Sequence, residues 1–203
     1  IFLQGSGQLI VILQESGETL AAAVTRTVGL AQYFGVMATT VQSEADMLAA
    51  AAVLQPLNKI GYFVQYDPAA IAPGGSLDLL RSGSFSHARG LIYIDSSSGG
   101  LNALLFQAAY ASKGLSVNFN GSNTTITMHL KSLQGVQPDP GMTQTYLDLA
   151  VDAGADSYPS LQGVPSVFCS GANMFYDQIY NQQWLVGALQ VAGFNYLAQT
   201  ATK

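Results

Sequence analysis

Short, unbroken runs of apolar residues alternate with helical patterns in the first half of this chain. The runs fall at Leu9–Leu13, Tyr33–Ala38, Ile60–Tyr66 and Leu91–Ile94. Runs of this length without polar alternation are typical of strands that are buried on both faces. We therefore predict a mostly parallel sheet with helices packed on it, since strands and helices alternate along the chain.

Four helices are predicted within the same half. Ser43 and Asp46 are spaced like a capping box at the start of the second helix, and Pro56 follows its end. The third helix covers Ser76–Arg81 and the fourth covers Leu101–Ser112. The residues expected on buried faces are Leu20, Val24, Val28 and Ala31 in the first helix and Met47, Ala51 and Leu54 in the second.

The pattern changes after Gly114, where alternating residues replace continuous apolar runs. Leu115–Phe119 and Thr124–Lys131 flank the turn residues Asn120–Asn123, which predicts a β-hairpin. A helix capped by Thr143 and a strand at Val164–Cys169 are expected next. The predicted helix ends at Gly154, and its inward-facing residues are Tyr146, Leu147, Ala150 and Val151.

A long helix from about Asp177 to Gln199 is expected to close the chain. The predicted fold class is therefore α/β, a mostly parallel helix-flanked sheet followed by a hairpin-containing α+β segment. The two parts, 1–113 and 114–203, are expected to form one compact unit. Because the chain starts at Ile1 and ends at Lys203, we expect a piece of a longer protein. The final helix is expected to bury Trp184, Leu185, Ala188, Leu189, Ala192 and Tyr196.

Charged residues are scarce. Asp, Glu, Lys and Arg make up 9% of the 203 residues, whereas ordinary soluble domains contain about 25%. The net charge of −5 and the scattered basic residues argue against nucleic-acid binding, which needs clustered Lys and Arg. So little charge favours a surface that is largely covered by other subunits, although a low-charge domain kept soluble by hydroxyl and amide groups is the alternative.

The sequence also argues against a membrane span and against a disulfide. The run from Gln178 to Thr202 is free of charge, but it carries seven Asn and Gln side chains, too many for lipid. Cys169 is the single cysteine, so it forms neither an internal disulfide nor a multi-cysteine metal site. Its apolar neighbours predict a buried, inert thiol in a protein made in a reducing cytoplasm.

One segment comes close to a metal site. Asp95 and Ser97 directly follow a predicted strand, in the order Asp-Ser-Ser-Ser-Gly. Carboxylate and hydroxyl oxygens at alternate positions suit a hard cation, and the segment resembles the metal site of von Willebrand A-type domains. Gly99 replaces one ligand of that pattern, which favours a polar turn that caps the next helix. A Rossmann-like or von Willebrand A-like ligand-binding domain that uses Asp95 and Ser97 is therefore the alternative function.

No other constellation predicts catalysis, and we assign no catalytic, cofactor-binding or metal-binding residue. His87 and His129 stand in no recognisable triad context. Asp148, Asp152 and Asp156 are spaced by four residues, which predicts one exposed acidic stripe on a helix. We expect a protein that is not an enzyme and needs no cofactor.

Three segments together resemble the sheath proteins of contractile-tailed phages. They are His87–Tyr93, an arginine-bearing entry to an apolar strand, Lys131–Asp139, with a Lys-x-Leu-x-Gly-Val order, and Phe175–Asp177 followed by Trp184 and Leu185. The likeness extends over roughly Ser43 to Gln199. The second segment is the most specific of the three.

The resemblance implies a structural subunit of the phage tail. Many copies would form hexameric rings and a helical sheath around a tail tube, contact tube and baseplate proteins, and contract to drive genome injection. The expected location is then the virion, after synthesis in the bacterial host cytoplasm. A tube or baseplate component of the same machine is a further alternative.

Overall fold

The computed structural model describes residues 10–28, 35–94, 99–116, 127–172 and 176–200. The helices are α1 (Leu20–Thr27), α2 (Glu44–Leu54), α3 (Ser76–Ser82), α4 (Leu101–Leu115), α5 (Gln144–Asp152) and α6 (Tyr176–Thr200), and a short 3-10 helix covers Pro68–Ile71. The strands are β1 (Gly35–Met37), β2 (Ile60–Gln65), β3 (Ala88–Ile92), β4 (Ala155–Ser157), β5 (Ser160–Leu161) and β6 (Val164–Pro165).

A four-stranded parallel sheet organises the molecule, in the order β1-β2-β3-β4. The first three strands come from the first half of the chain, and β4 from the second half extends the same sheet by pairing Leu91 with Asp156. A small antiparallel sheet of β5 and β6 lies beside it. The predicted fold class, a helix-flanked parallel sheet with a hairpin-containing second part, is confirmed.

The sheet is buried on both faces. One face carries the apolar side chains of α4 and of the segment around Met128 and Leu133, while α1, α2, α3 and α5 cover the other. Strand β2 shows the consequence, since Ile60, Tyr62, Phe63 and Val64 are all at most 2% exposed. The continuous apolar run at Ile60–Tyr66 predicted this two-sided burial.

Local signals explain the helix ends that the sequence predicted correctly. The Ser43 hydroxyl accepts a hydrogen bond from the backbone N–H of Asp46 at 3.2 Å and donates one to its carboxylate at 2.7 Å. Thr143 caps α5 in the same way, accepting from the backbone N–H of Tyr146 at 3.3 Å. These bonds satisfy N–H groups that have no partner within the first turn of a helix.

Two predicted strands are wrong where the structure describes them. Ile10–Leu13 forms no regular secondary structure and belongs to no sheet. Thr127–Lys131 forms a turn in which Leu130 has a φ of 61°, so this part of the predicted hairpin is not a strand. The rest of that hairpin, residues 117–126, lies outside the described residues, and the hairpin of the structure turns instead at Gln162 and Gly163.

Burial also differs from the prediction on three helices. Val28, directly after α1, and Val151 on α5 are exposed, although their partners Val24 and Ala150 are buried as predicted. Ala31 lies outside the described residues. The residues of α6 that were expected in the core are exposed as well. The predicted strand at Val164–Cys169 is shortened to Val164–Pro165, with a single further bridge from Phe168 to Ser157.

Candidate assembly interface

The segment Lys131–Asp139, the most distinctive part of the sequence, is tied to the sheet by two buried tyrosines. The hydroxyl of Tyr158 accepts from the backbone N–H of Leu133 at 3.0 Å, and the backbone N–H of Asp139 donates to the Tyr158 carbonyl at 2.8 Å. The hydroxyl of Tyr93, which directly follows β3, donates to the carbonyl of Gln137 at 3.2 Å. These bonds hold the segment against the sheet at Leu133, Gln137 and Asp139, and we call Lys131–Asp139 the wall of the sheet.

Asp139 fixes the end of this wall next to β3. Its carboxylate accepts hydrogen bonds from the backbone N–H groups of Ile94 at 2.6 Å and Gly141 at 2.8 Å. A Cβ atom at Gly141 would lie 2.1 Å from the carbonyl oxygen of Ile94, so a side chain cannot be accommodated there without moving the backbone. The order Pro-Asp-Pro-Gly thus has a structural explanation in this close approach.

A second buried carboxylate, Asp156 on β4, joins α4 to the chain that leads into α6. It is 1% exposed and accepts from the hydroxyl of Tyr110 at 2.5 Å and from the backbone N–H of Ser170 at 2.9 Å. The predicted acidic stripe is therefore wrong for Asp156, because α5 ends before Gly154, whose φ is 70°. Asp148 and Asp152 do lie exposed on α5.

Cys169 lies half-buried beside this carboxylate. Burial, reinforced by the negative charge of Asp156, raises the pKa of the thiol far above its ordinary value. The thiolate is the nucleophilic form of cysteine, so a raised pKa favours an unreactive side chain. The thiol is half-buried where the sequence predicted full burial, and its inertness stays a prediction.

The two histidines lie in different structural environments. His87 is 4% exposed, its Nδ1 has no hydrogen-bond partner, and burial with the nearby Arg89 lowers its pKa. His129 accepts a hydrogen bond at Nδ1 from the backbone N–H of Cys169 at 3.2 Å, and its ring contacts Phe168 edge-on. His87 directly precedes β3, whereas His129 lies two residues before the wall. No contact joins the two side chains, so they do not form one site.

Asp95 and Ser97, the residues of the predicted metal-binding alternative, lie outside the described residues. Among the residues that the structure does describe, no cluster of three or more His, Cys, Asp and Glu side chains could hold a metal ion. The alternative therefore stays a prediction of the sequence.

The most unusual surface of the molecule is α6. Its first turns contact the body, where Ile179 is fully buried and the Gln183 side chain donates to the carbonyl of Asn58. From Trp184 to Gln199 every residue is exposed except the partly exposed Gly187. The large apolar side chains on this stretch, between 42% and 72% exposed, are Trp184, Leu185, Val186, Leu189, Val191, Phe194, Tyr196 and Leu197.

These side chains surround the helix instead of forming one stripe. At 100° per residue Trp184, Leu189 and Phe194 point in widely separated directions. A helix that is apolar all round is ordinarily buried on every side. No charged residue occurs from Gln178 to Thr202, a run that we weighed only against a membrane span. The apolar residues of this helix were expected in the chain's own core, and that expectation is wrong.

The segment Ile10–Leu13 adds a second exposed apolar feature. Its four residues are between 38% and 84% exposed, and no strand pairs with them among the described residues. The neighbouring turn is fixed by Arg26, which donates to both carboxylate oxygens of Glu18 at 2.8 Å. This interaction lowers the pKa of Glu18 to about 2. The turn is thus well defined although the apolar residues before it are uncovered.

Within the described parts of the chain, no helix combines the length and hydropathy that a membrane crossing requires. The arrangement offers a sheet body from which an apolar helix extends into solvent. Comparison with known proteins gives no matching family model and no matching curated sequence.

Proposed function

We propose that this chain is a structural subunit that works by assembling with copies of itself, and that the assembly is a contractile phage tail sheath. The observation that carries the proposal is α6, which exposes eight large apolar side chains and no charge over its last four turns. Exposed apolar patches of this size are typical of protein interfaces.

The free energy available at this surface is large enough to matter. Fully burying one large apolar side chain contributes roughly 1.5–3 kcal/mol, and these eight are already partly buried, so the gain is on the order of 10 kcal/mol. Association costs about 4–15 kcal/mol in lost freedom of motion. One such contact is therefore marginal, whereas a subunit with several neighbours in a polymer is held firmly.

The rigid body suits the same role. The wall from Lys131 to Asp139 and the carboxylate of Asp156 tie loops to the sheet through buried and partly buried hydrogen bonds. A subunit that keeps its shape can exchange one set of contacts for another when the sheath shortens, with no bond broken. Of the segments that resemble sheath proteins, the first contains β3 and the second is this wall, while Tyr176 and Asp177 of the third begin α6.

The proposed partners follow from the same reasoning. Copies of this chain would form rings and a helical tube around the tail tube, and the ends of that tube would meet baseplate proteins. The proposed location is the virion, after synthesis in the host cytoplasm.

Electron microscopy of the product of the complete reading frame tests the proposal. We expect wide helical tubes, which Phe194→Lys abolishes because it places a charge within the apolar surface. Val151→Lys, which adds the same charge at an exposed position of α5, is the matched control and should leave the tubes intact. Monomers at every concentration, or tubes that tolerate Phe194→Lys, would contradict the proposal.

A further inference from the structure

One face of α6 has an unusual order of side-chain sizes. Residues three and four positions apart share a face of a helix, and a shallow groove on α6 is lined by Trp184, Gly187, Ala188, Val191, Ala192 and Asn195. The bulky indole lies at one end, the amide lies at the other, and three of the four residues between them are Gly or Ala. Small residues in the middle of a helix face let a second helix approach closely, at the short end of the usual 8–10 Å between axes.

We propose that this groove pairs, in an antiparallel direction, with the same groove of a second copy. The inference rests on the proposed self-assembly and specifies which surface meets which. In that arrangement Trp184 of each copy lies opposite Asn195 of the other, Gly187 lies opposite Ala192, and Ala188 lies opposite Val191. Each large side chain thus meets a smaller one, and the indole N–H faces an amide oxygen that can accept its hydrogen bond.

A parallel pairing makes poorer contacts. It sets the two Trp184 indoles against each other at one end and leaves Gly187 facing Gly187 in the middle. Packing at protein density requires large groups opposite small ones. The antiparallel direction also aligns the two helix dipoles favourably, whereas the parallel direction sets like ends side by side.

The position of the body gives an independent argument for the same direction. The body lies at the beginning of α6, where Ile179 is buried and Gln183 contacts Asn58. Each chain carries a net charge of −5, while the groove itself carries none. Antiparallel helices place the two negative bodies at opposite ends of the pair, but parallel helices would place them side by side.

Two of the large exposed apolar side chains line the groove itself, Trp184 at 63% and Val191 at 60% exposed. The contact is therefore short, and its specificity comes from close packing at Gly187, Ala188 and Ala192.

Disulfide cross-linking of the 203-residue chain tests the direction of pairing. Asn181→Cys and Ala198→Cys are made in separate chains, each in a Cys169→Ala background that removes the native thiol. The two positions continue the groove by one turn at either end and lie about 25 Å apart along the helix. A mixture of the two variants is expected to give a disulfide-linked dimer on mild oxidation, and neither variant alone is expected to do so.

The outcomes separate this inference from the proposed function. Cross-linking of either single variant with itself, or association without cross-linking in the mixture, overturns the antiparallel pairing while leaving self-assembly in place. A chain that stays monomeric at high concentration overturns both. As a second readout, Ala188→Phe fills the groove and should weaken dimerisation about tenfold or more. Val186→Phe, on the opposite face of α6, is the matched control and should leave the dimerisation constant within about twofold.

Discussion

The hydroxyl of Tyr158 is hydrogen-bonded to both backbone groups of Leu133: it accepts from the N–H at 3.0 Å and donates to the carbonyl at 3.2 Å. Both residues are buried, so neither pair of groups has water as an alternative partner. The phenol thus provides the hydrogen bonds that a neighbouring strand would otherwise provide to Leu133, which belongs to no sheet. This relationship explains how a segment without regular secondary structure becomes a fixed part of the subunit.

Tyr158→Phe should destabilise the protein by about 1–3 kcal/mol, because it leaves two buried backbone groups without a partner. The free energy of unfolding in urea measures the effect. Tyr146→Phe on α5 removes a hydroxyl from a half-buried ring for which the structure shows no such bond, and it should cost less than about 0.5 kcal/mol. Equal effects of the two substitutions would contradict the role of Tyr158.

Stability should fall as the pH falls through the titration of His87. The folded protein holds the pKa of this side chain below the ordinary 6.5, so the unfolded chain binds the proton first. The stability that the neutral imidazole contributes is therefore present above pH 6.5 and decreases below it. Thermal melting between pH 7 and pH 5 should show this decrease in the native protein and a flatter profile in His87→Phe.

An NMR titration of the His87 ring gives the same pKa directly. Its midpoint should lie below 6.5 in the folded protein. A midpoint at or above that value would contradict the assignment, because burial would then impose no penalty on the charged ring.

Glu18 should contribute to stability down to a lower pH than His87 does. Its pKa of about 2 lies below the ordinary 4.5, so its ion pair with Arg26 is complete above pH 4.5 and is lost as the pH falls through about 2. Glu18→Gln should lower the melting temperature at pH 7, and the difference from the native protein should vanish at low pH. Glu15→Gln, whose carboxylate is 3.9 Å from Arg26 and largely exposed, should have a smaller effect.

Cys169 should resist alkylation. Because burial and Asp156 raise the pKa of its thiol, iodoacetamide at pH 8 should modify the folded protein at least about tenfold more slowly than the chain in denaturant. Mass spectrometry follows the reaction. Asp156→Asn should speed the labelling of protein that circular dichroism shows to be folded, and an unchanged rate would exclude the carboxylate as a cause.

The sequence predicted the elements whose partners are near in the chain. The apolar run at Ile60–Tyr66 and the cap at Ser43 specify a strand and a helix through local geometry, and both are found. The run at Leu9–Leu13 carries the same local signal, yet Ile10–Leu13 has no strand beside it. An apolar run shows that a segment favours burial, but it does not show which other segment covers it.

The candidate interface could not be predicted for a related reason. The apolar residues of α6 would suit a helix buried in the chain's own core and a helix buried against another chain equally well. Only the path of the helix, which leads away from the body, distinguishes the two cases. Asp156 was predicted on a helix because it lies four residues after Asp152. The helix ends at Asp152, and the chain turns at Gly154, whose φ is positive, so that Asp156 lies in β4 of the sheet. Tertiary contacts of this kind leave no periodic trace in the sequence.

The central claim is that α6 joins copies of this chain, and sedimentation equilibrium of the 203-residue protein tests it most directly. The native chain should associate as its concentration rises through the micromolar range. Val191→Lys, at a position that lines the groove of α6, should shift that association to at least about tenfold higher concentration, since a buried charge opposes it. Val151→Lys, with the same added charge on α5, should behave like the native chain. A native chain that stays monomeric, or an association that Val191→Lys leaves unchanged, would contradict the account.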